Sequence, residues 1–298
     1  MRSGMATLVG LSVFLLSGCS DEIKHCMPEF KCPGPCERVE DGDDDGNPNF
    51  RAKYTYNHEG LKILMELDYQ ANGVFEDVWE YTYDDAGNLL MSEYDVGMDG
   101  VVEQRNTYTY DENNNRLTYE FGGDGPGPSY RYTYTYDENG NLLMEEEDWG
   151  VDGEIDSRRF YTYDENKNLL MAEQDQDADG EIDSRRFYIY DENGCLEKTE
   201  IDINANGFID GAQYYTSDEN CNILTMEKEY ETMTFTYDQN GNILTERLEN
   251  DDGSETTVYA YDQYENLLMK KTDGYFSTPG GGKIDSRTNY WYDCWCPQ

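Results

Sequence analysis

Nine times the chain reopens with one phrase, Tyr-x-Tyr-Asp, followed by a polar turn and then two or three apolar residues. The copies begin at Tyr54, Tyr81, Tyr108, Tyr134, Tyr161, Tyr188, Tyr215 (where Ser217 replaces the second Tyr), Phe235 and Tyr259. A truncated copy, Tyr290-Trp291-Tyr292-Asp293, closes the series. Most intervals are 27 residues, one is 26, and the late ones are 20, 24 and 31. A fixed period of this size means a tandem array in which each unit buries its apolar side only against its neighbours.

Within a unit the wording reads as a β-hairpin. Arg158-Arg-Phe-Tyr-Thr-Tyr163 is rich in strand formers, Asp164-Glu-Asn-Lys-Asn168 is a turn, and Leu169-Leu170-Met171-Ala172-Glu173 is the returning strand. Sister turns carry Asn139-Gly140 and Asn240-Gly241, the pair that suits a tight hairpin. A second connection of different chemistry, Asp175 to Gly180, leads into the next Tyr strand. No amphipathic helix is found in the mature chain. The expected fold is all-β: antiparallel hairpin repeats in a meander of about 18 strands, whose accumulating twist coils it into a spiral or curls it towards closure. Tyr161 and Tyr163 share one face, because the side-chain period is two. Such rows serve either as the packing spine of the sheet or, on an open face, as a platform for sugars.

Charge bounds the partners. The formal net charge is −42 and only 37% of residues are hydrophobic, yet aromatics reach 14% and recur in phase with the repeat. That is a folded array with an acidic surface, which repels nucleic acid and attracts cations or basic partners.

The first residues form a leader: Arg2, an apolar run from Met5 to Leu16, then small residues. Leu16-Ser17-Gly18-Cys19 resembles the bacterial lipobox, which implies cleavage after residue 18, acylation of Cys19 and a lipid anchor on the cell envelope. Ser20, rather than Asp, points to the outer membrane or cell surface. Residues 19–50, with Pro28, Pro33, Pro35 and an Asp/Gly run, are expected to be a tether, residues 51–293 the array, and residues 294–298 a Cys-containing tail. Export favours disulfides. Seven cysteines remain after Cys19: Cys26, Cys32, Cys36, Cys195, Cys221, Cys294 and Cys296. Cys195 and Cys221 lie in successive repeat turns, offset by one position, and are expected to bridge if those turns lean together.

The wording Tyr-x-Tyr-Asp-x-x-Gly-Asn-Leu, best kept at Tyr134 to Leu142, Phe235 to Ile243 and Tyr81 to Leu89, resembles the YD repeat of Rhs and teneurin-type surface proteins. The resemblance spans residues 54–293 and implies hairpins wound into a shell or an adhesion module. The units are too few for a full shell, and no toxin cargo is expected.

The second connection carries the chemistry. Asp175, Asp177, Asp179, Glu181 and Asp183 occupy positions 1, 3, 5, 7 and 9 of a loop with Gly180 at position 6. Alternate residues can turn oxygens inward, Gly allows the bend, and the backbone carbonyl of position 7 can contribute a further ligand. Asp202, Asn204, Asn206, Phe208 and Asp210 repeat the pattern, and Asp148, Asp152 and Asp156 keep part of it. The loops from Asp95 to Glu103 and from Asp68 to Glu76 are weaker echoes. An EF-hand is excluded, because position 12 is Arg186 in one loop and Gln213 in the next. The loops resemble the nine-residue calcium loops of integrin-type propellers, which implies Ca²⁺; otherwise they are plain turns rich in Asp-Gly.

Catalytic wording is scarce. The chain holds two His, His25 and His58, leaving little material for a nucleophile pair. Ser-Arg-Arg at 157–159 and 184–186 is expected to pair with acids on neighbouring strands. The function expected is a non-enzymatic, lipid-anchored envelope protein whose calcium-stabilised array presents a surface to a glycan or another surface protein. A carbohydrate-active enzyme using a carboxylate pair, or a structural spacer, are the alternatives.

Overall fold

The computed structural model describes residues 34–122, 129–276 and 283–291. Among them every regular element is a strand. In chain order these are β1 (Glu37–Asp41), β2 (Phe50–Tyr56), β3 (Lys62–Asp68), β4 (Asp77–Tyr83), β5 (Leu89–Val96), β6 (Gln104–Tyr110) and β7 (Arg116–Gly122). There follow β8 (Tyr130–Tyr136), β9 (Leu142–Trp149), β10 (Ser157–Tyr163), β11 (Leu169–Asp175), β12 (Ser184–Tyr190), β13 (Leu196–Asp202) and β14 (Gly211–Ser217). The last are β15 (Ile223–Lys228), β16 (Glu231–Tyr237), β17 (Ile243–Asn250), β18 (Gly253–Tyr261), β19 (Leu267–Phe276) and β20 (Lys283–Trp291).

Each strand pairs antiparallel with the next, and β1 pairs with both β2 and β20, so the sheet closes into a barrel rather than an open spiral. The reason lies in parity. In a meander β2 and β20 run the same way and cannot form an antiparallel ladder directly; one reversed strand between them solves this. Residues 37–41, expected in the tether, supply it, with Val39 set against Arg51 on one side and Asn289 on the other. The array therefore begins upstream of residue 51. The leader, Cys19, Cys26, Cys32, Cys294 and Cys296 lie outside the described residues.

One rim of the barrel is built from the Tyr-Asp turns. In all but the first, where Asn57 takes the place, an Asp carboxylate folds back on the turn: Asp84 accepts the backbone N–H of Ala86 and Asn88 and the Nδ2 of Asn88. Asp111, Asp137, Asp164, Asp218, Asp238 and Asp262 repeat this with an Asn four residues on. Only the residue before that Asn has positive φ, as at Gly140 (+80°) and Asn114 (+65°). The turn is thus a longer one with a single left-handed residue, not the two-residue Asn-Gly hairpin the wording suggested, which needs two such residues. A register shift follows at the same place in each hairpin, as between Thr162 and Tyr163, and such bulges sharpen local twist.

The second Tyr of six phrases has its own task. Tyr83 Oη donates to the Lys62 carbonyl, and Tyr56, Tyr110, Tyr136, Tyr190 and Tyr237 repeat the bond one unit back. Phe could not do this. The first Tyr packs on the sheet face. Where the intervening strand supplies a ring, the rings lean together: Tyr108 and Tyr119 have centroids 5.1 Å apart at 17°, and Trp79 and Tyr94 4.8 Å apart at 19°. Rings offset-stacked at these distances cover one another's faces. Over residues 79–134 that makes the row a packing spine, because a sugar platform needs those faces free.

Among the described residues the buried apolar side chains are few: Val39, Ala52, Tyr56, Leu67, Val78, Tyr134 and Cys195. Strand ladders, turn carboxylates and cross-strand pairs such as Arg159–Glu145 and Arg185–Glu173 carry much of the cohesion.

Candidate metal-binding loops

The opposite rim carries the second connections. Six of them share two left-handed positions, at residues 41–49, 68–76, 95–103, 148–156, 175–183 and 202–210; Gly97 and Gly150 add a third in two of them. Positions 4 and 6 both have positive φ, as at Ala178 (+54°) and Gly180 (+94°). The first-position Asp is turned into the loop and, save Asp95, buried: Asp68, Asp175 and Asp202 are at most 1% exposed. Its two oxygens accept the N–H groups of positions 5 and 6, from Asp179 and Gly180 to Asp175, from Asn206 and Gly207 to Asp202, and from Asp152 and Gly153 to Asp148. The carboxylate of position 9 closes the loop by accepting the N–H of position 2: Asp183 from Gln176, Asp210 from Ile203, Asp156 from Trp149.

Local electrostatics follow from these bonds. Burial alone would raise the Asp68 carboxyl, but N–H groups of Gly73, Asn72 and Gln70, with the Arg51 charge, hold it below the ordinary aspartate value. Asp41 behaves alike under the N–H of Gly46. Its neighbour Asp43 is pushed up by the hydrogen bond it shares with Asp41 and by the Asp45 charge.

The predicted ligands do not all converge. One carboxylate oxygen each from Asp175, Asp177 and Asp183 lies within 4.8 Å of the others. Two oxygens bound to one Ca²⁺ at 2.3–2.6 Å stand no more than about 5 Å apart, so this trio fits a hard divalent cation. Two lone-pair sites on Asp175 remain after its two N–H bonds. Asp179 stands outside the trio, with Oδ1 accepting the N–H of Glu181, and the Glu181 side chain is exposed. In the next loop Asn206 likewise accepts the N–H of Phe208, Asn204 is exposed, and the Phe208 ring is 75% exposed. Asp152 accepts the N–H of Glu154.

A second trio was missed in the sequence. Asp41, Asp43 and Asp45 converge equally closely. Their wording, Asp41-Gly-Asp43-Asp-Asp45-Gly46, matches the Asp175 loop at positions 1, 3, 5 and 6, with the third carboxylate at position 5 rather than 9 because Asn49 stands at position 9, but its acids were read as part of a solvated spacer. Arginines also tie loop to loop: Arg158 Nη1 donates to the Ala178 carbonyl at 3.0 Å and stands 3.9 Å from Asp175 Oδ2, and Arg185 reaches the Ala205 carbonyl.

At the turn rim, Cys195 and Cys221 are bridged, with Cα atoms 5.1 Å apart. Cys195 replaces the Asn of one turn and Cys221 the left-handed residue of the next, which explains the offset of one. The same two places hold Asn88 and Asn114 elsewhere, joined by a 2.8 Å hydrogen bond across the same separation of 26 residues. Cys36 is also disulfide-bonded.

No protein-family model matches the chain, and none of the curated proteins does. Among solved structures it is similar to the TcdB2-TccC3 toxin complex, at 16% identity over 78% of this chain and 13% of that chain, with a TM-score of 0.49. It therefore spans only a small part of that toxin chain's length. The Tc holotoxin pore of Photorhabdus luminescens matches at 13% identity over 80% of this chain and 16% of that one, with a TM-score of 0.30. A porin-like protein from Bacteroides uniformis matches at 10% identity over 89% of this chain and 98% of that one, with a TM-score of 0.41.

Proposed function

We propose that the protein is a non-enzymatic, lipid-anchored component of the bacterial cell envelope, a calcium-stabilised barrel that presents its loop rim to a glycan or to another surface protein. The convergence of the Asp175, Asp177 and Asp183 carboxylates at a hairpin tip carries the reading. Calcium there relieves crowding of like charge on a chain at −42.

Orientation supports presentation. β1 enters and β20 leaves at the Tyr-Asp rim, where Glu37 pairs with Trp291 and Tyr56 Oη donates to the Pro35 carbonyl. The chain thus enters the described barrel at the rim opposite the loops, which suits an anchor upstream of residue 34. Anchoring also suits the strands better than insertion does. Most are seven residues long, against 9–11 for a bilayer-spanning strand. Glu145 and Glu146, with Arg159 and Arg158 opposite them, place charge on both faces at mid-strand.

Calorimetric titration of the purified protein with CaCl₂ tests the reading. Extracellular calcium modules bind at about 10⁻⁴ to 10⁻³ M, and heat in that range is expected. Asp175→Ala with Asp177→Ala should remove one site and leave the others. A titration without binding heat would return the loops to ordinary turns.

A further inference from the structure

On a chain this acidic, an unpaired cation is conspicuous. Among the described residues nearly every Lys and Arg side chain is engaged, by carboxylates (Arg159 with Glu145, Lys271 with Asp44), by tyrosine rings (Lys62, Lys270) or by carbonyl or amide oxygens (Lys167, Arg287). Among the side chains described, Arg186 and Lys228 are the exceptions: both are exposed, and neither has an ion pair, a hydrogen bond or a ring contact. Both line the same pocket, about 360 Å³ in volume.

The repeat shows how Arg186 came to be free. Arg159 on β10 sits opposite Glu145 on β9 and pairs with it at 2.6 Å. One unit on, the equivalent register sets Arg186 on β12 opposite Ala172 on β11, and Ile201 lies on its other side. The acid that should neutralise it has been replaced by a methyl group. Lys228 ends β15, where a tight turn at Glu229 and Tyr230 replaces the nine-residue loop. The pocket lies between that turn and the last loop, at Ile203 and Asp210.

Of the carboxylates on its lining, Glu200 is neutralised by Lys198, while Asp210 and Glu229 keep their charge and have an oxygen occupied by the N–H of Ile203 and by Tyr230 Oη. Arg186 and Lys228 are the charged lining groups left with no partner, and they are the ones an anion would meet. Gln213 accepts Tyr215 Oη on its amide oxygen, which leaves its NH₂ group as a donor. Buried Thr199 adds a hydroxyl, and Ile201 and Ile203 supply apolar wall. A guanidinium fork matches a carboxylate bidentately, while an ammonium adds a point charge. The volume falls within the usual range for small-ligand sites of roughly 300–1,000 Å³.

We propose that this pocket binds a small carboxylate-bearing ligand the size of one acidic sugar residue, with Arg186 on the carboxylate and Lys228 and Gln213 beside it. This rests on the ligand-presenting role proposed above and names the ligand class. The groups it assigns to the ligand, Arg186, Lys228 and Gln213, are none of the candidate calcium ligands, although Ile203 and Asp210 of the 202–210 loop form part of the wall; with calcium held constant, a failure here and a failure of the calcium titration are separate results.

The test is a ligand-observed NMR titration of the full-length protein with D-glucuronate, D-glucose and inorganic sulfate, in constant calcium. Glucuronate should bind at least tenfold more tightly than glucose, which shares the ring but lacks the charge, and more tightly than sulfate. Arg186→Gln should weaken glucuronate at least tenfold and Lys228→Gln several-fold. Arg247→Gln, which makes the same change in net charge at an exposed Glu249 pair, should leave binding unchanged. Because the exposed Arg186 side chain makes no ion pair, hydrogen bond or ring contact, its variant should melt close to the parent. Equal binding of glucose and glucuronate, undiminished binding by Arg186→Gln (as attachment through a loop-bound calcium would give), or preference for sulfate would each overturn the proposal.

Discussion

The Cys195–Cys221 bridge offers a quantitative test of how neighbouring turns are coupled. It closes a loop of 26 residues, and chain-entropy arithmetic for that length gives about 3.5 kcal/mol at 25 °C. With an unfolding entropy of about 2.1 cal/mol/K per residue over roughly 250 residues, that is a melting shift of about 7 °C. Cys195→Ala with Cys221→Ala removes the bridge and puts nothing in its place. Cys195→Asn with Cys221→Asn removes the bridge but installs the pair that Asn88 and Asn114 form at the same two turn positions. One such hydrogen bond is worth about 1 kcal/mol, or about 2 °C here. Scanning calorimetry in non-reducing buffer should therefore rank the parent first, the Asn pair about 5 °C lower, and the Ala pair about 7 °C lower. An Ala pair melting within about 1 °C of the parent would refute the entropic estimate. An Asn pair no more stable than the Ala pair would refute the equivalence of the two turn contacts.

Two further outcomes are expected. Cys19→Ser should abolish incorporation of a fatty-acid analogue and release the protein from the membrane fraction, and unchanged membrane association would defeat the anchor. The second concerns pH. Asn88, Asn115, Asn168, Asn222 and Asn242 donate to Asp84, Asp111, Asp164, Asp218 and Asp238 and hold those carboxyls below the ordinary value. A carboxyl depressed in the folded state contributes stability above its unfolded value and loses it as pH falls through the folded one. Relief of the −42 charge acts oppositely. The melting temperature should thus rise from pH 7 to about 5 and fall below about 4; a steady rise down to pH 3 would contradict it.

The repeat, the strands and the offset of the two bridged cysteines were legible because each rests on local wording. Closure was not. Glu37-Arg-Val-Glu-Asp41 has no Tyr phrase and little apolar content, and it becomes a strand because β2 and β20 each offer it a ladder. The Asp41 loop was hidden by the same misplacement. Nor does wording separate the two populations of Asp. Asp84 and Asp175 both open acidic turns, but an Asn four residues on satisfies the first, while the second keeps lone pairs free beside Asp177 and Asp183. The vacancy at Arg186 is likewise invisible until register sets it against Ala172 instead of a glutamate.

Hydrogen exchange with peptide resolution, run in millimolar calcium and in chelator, tests the closed, calcium-gripped barrel most directly. Amides of β1 and β20 should be protected like those of interior strands such as β12 in calcium, because each has a neighbour on both sides. Chelation should speed exchange at residues 41–49 and 175–183, where Asp41 and Asp175 hold backbone N–H groups, and leave the Tyr-Asp turns unchanged. Edge-like exchange of β1 and β20, with loop amides indifferent to calcium, would contradict both closure and the metal.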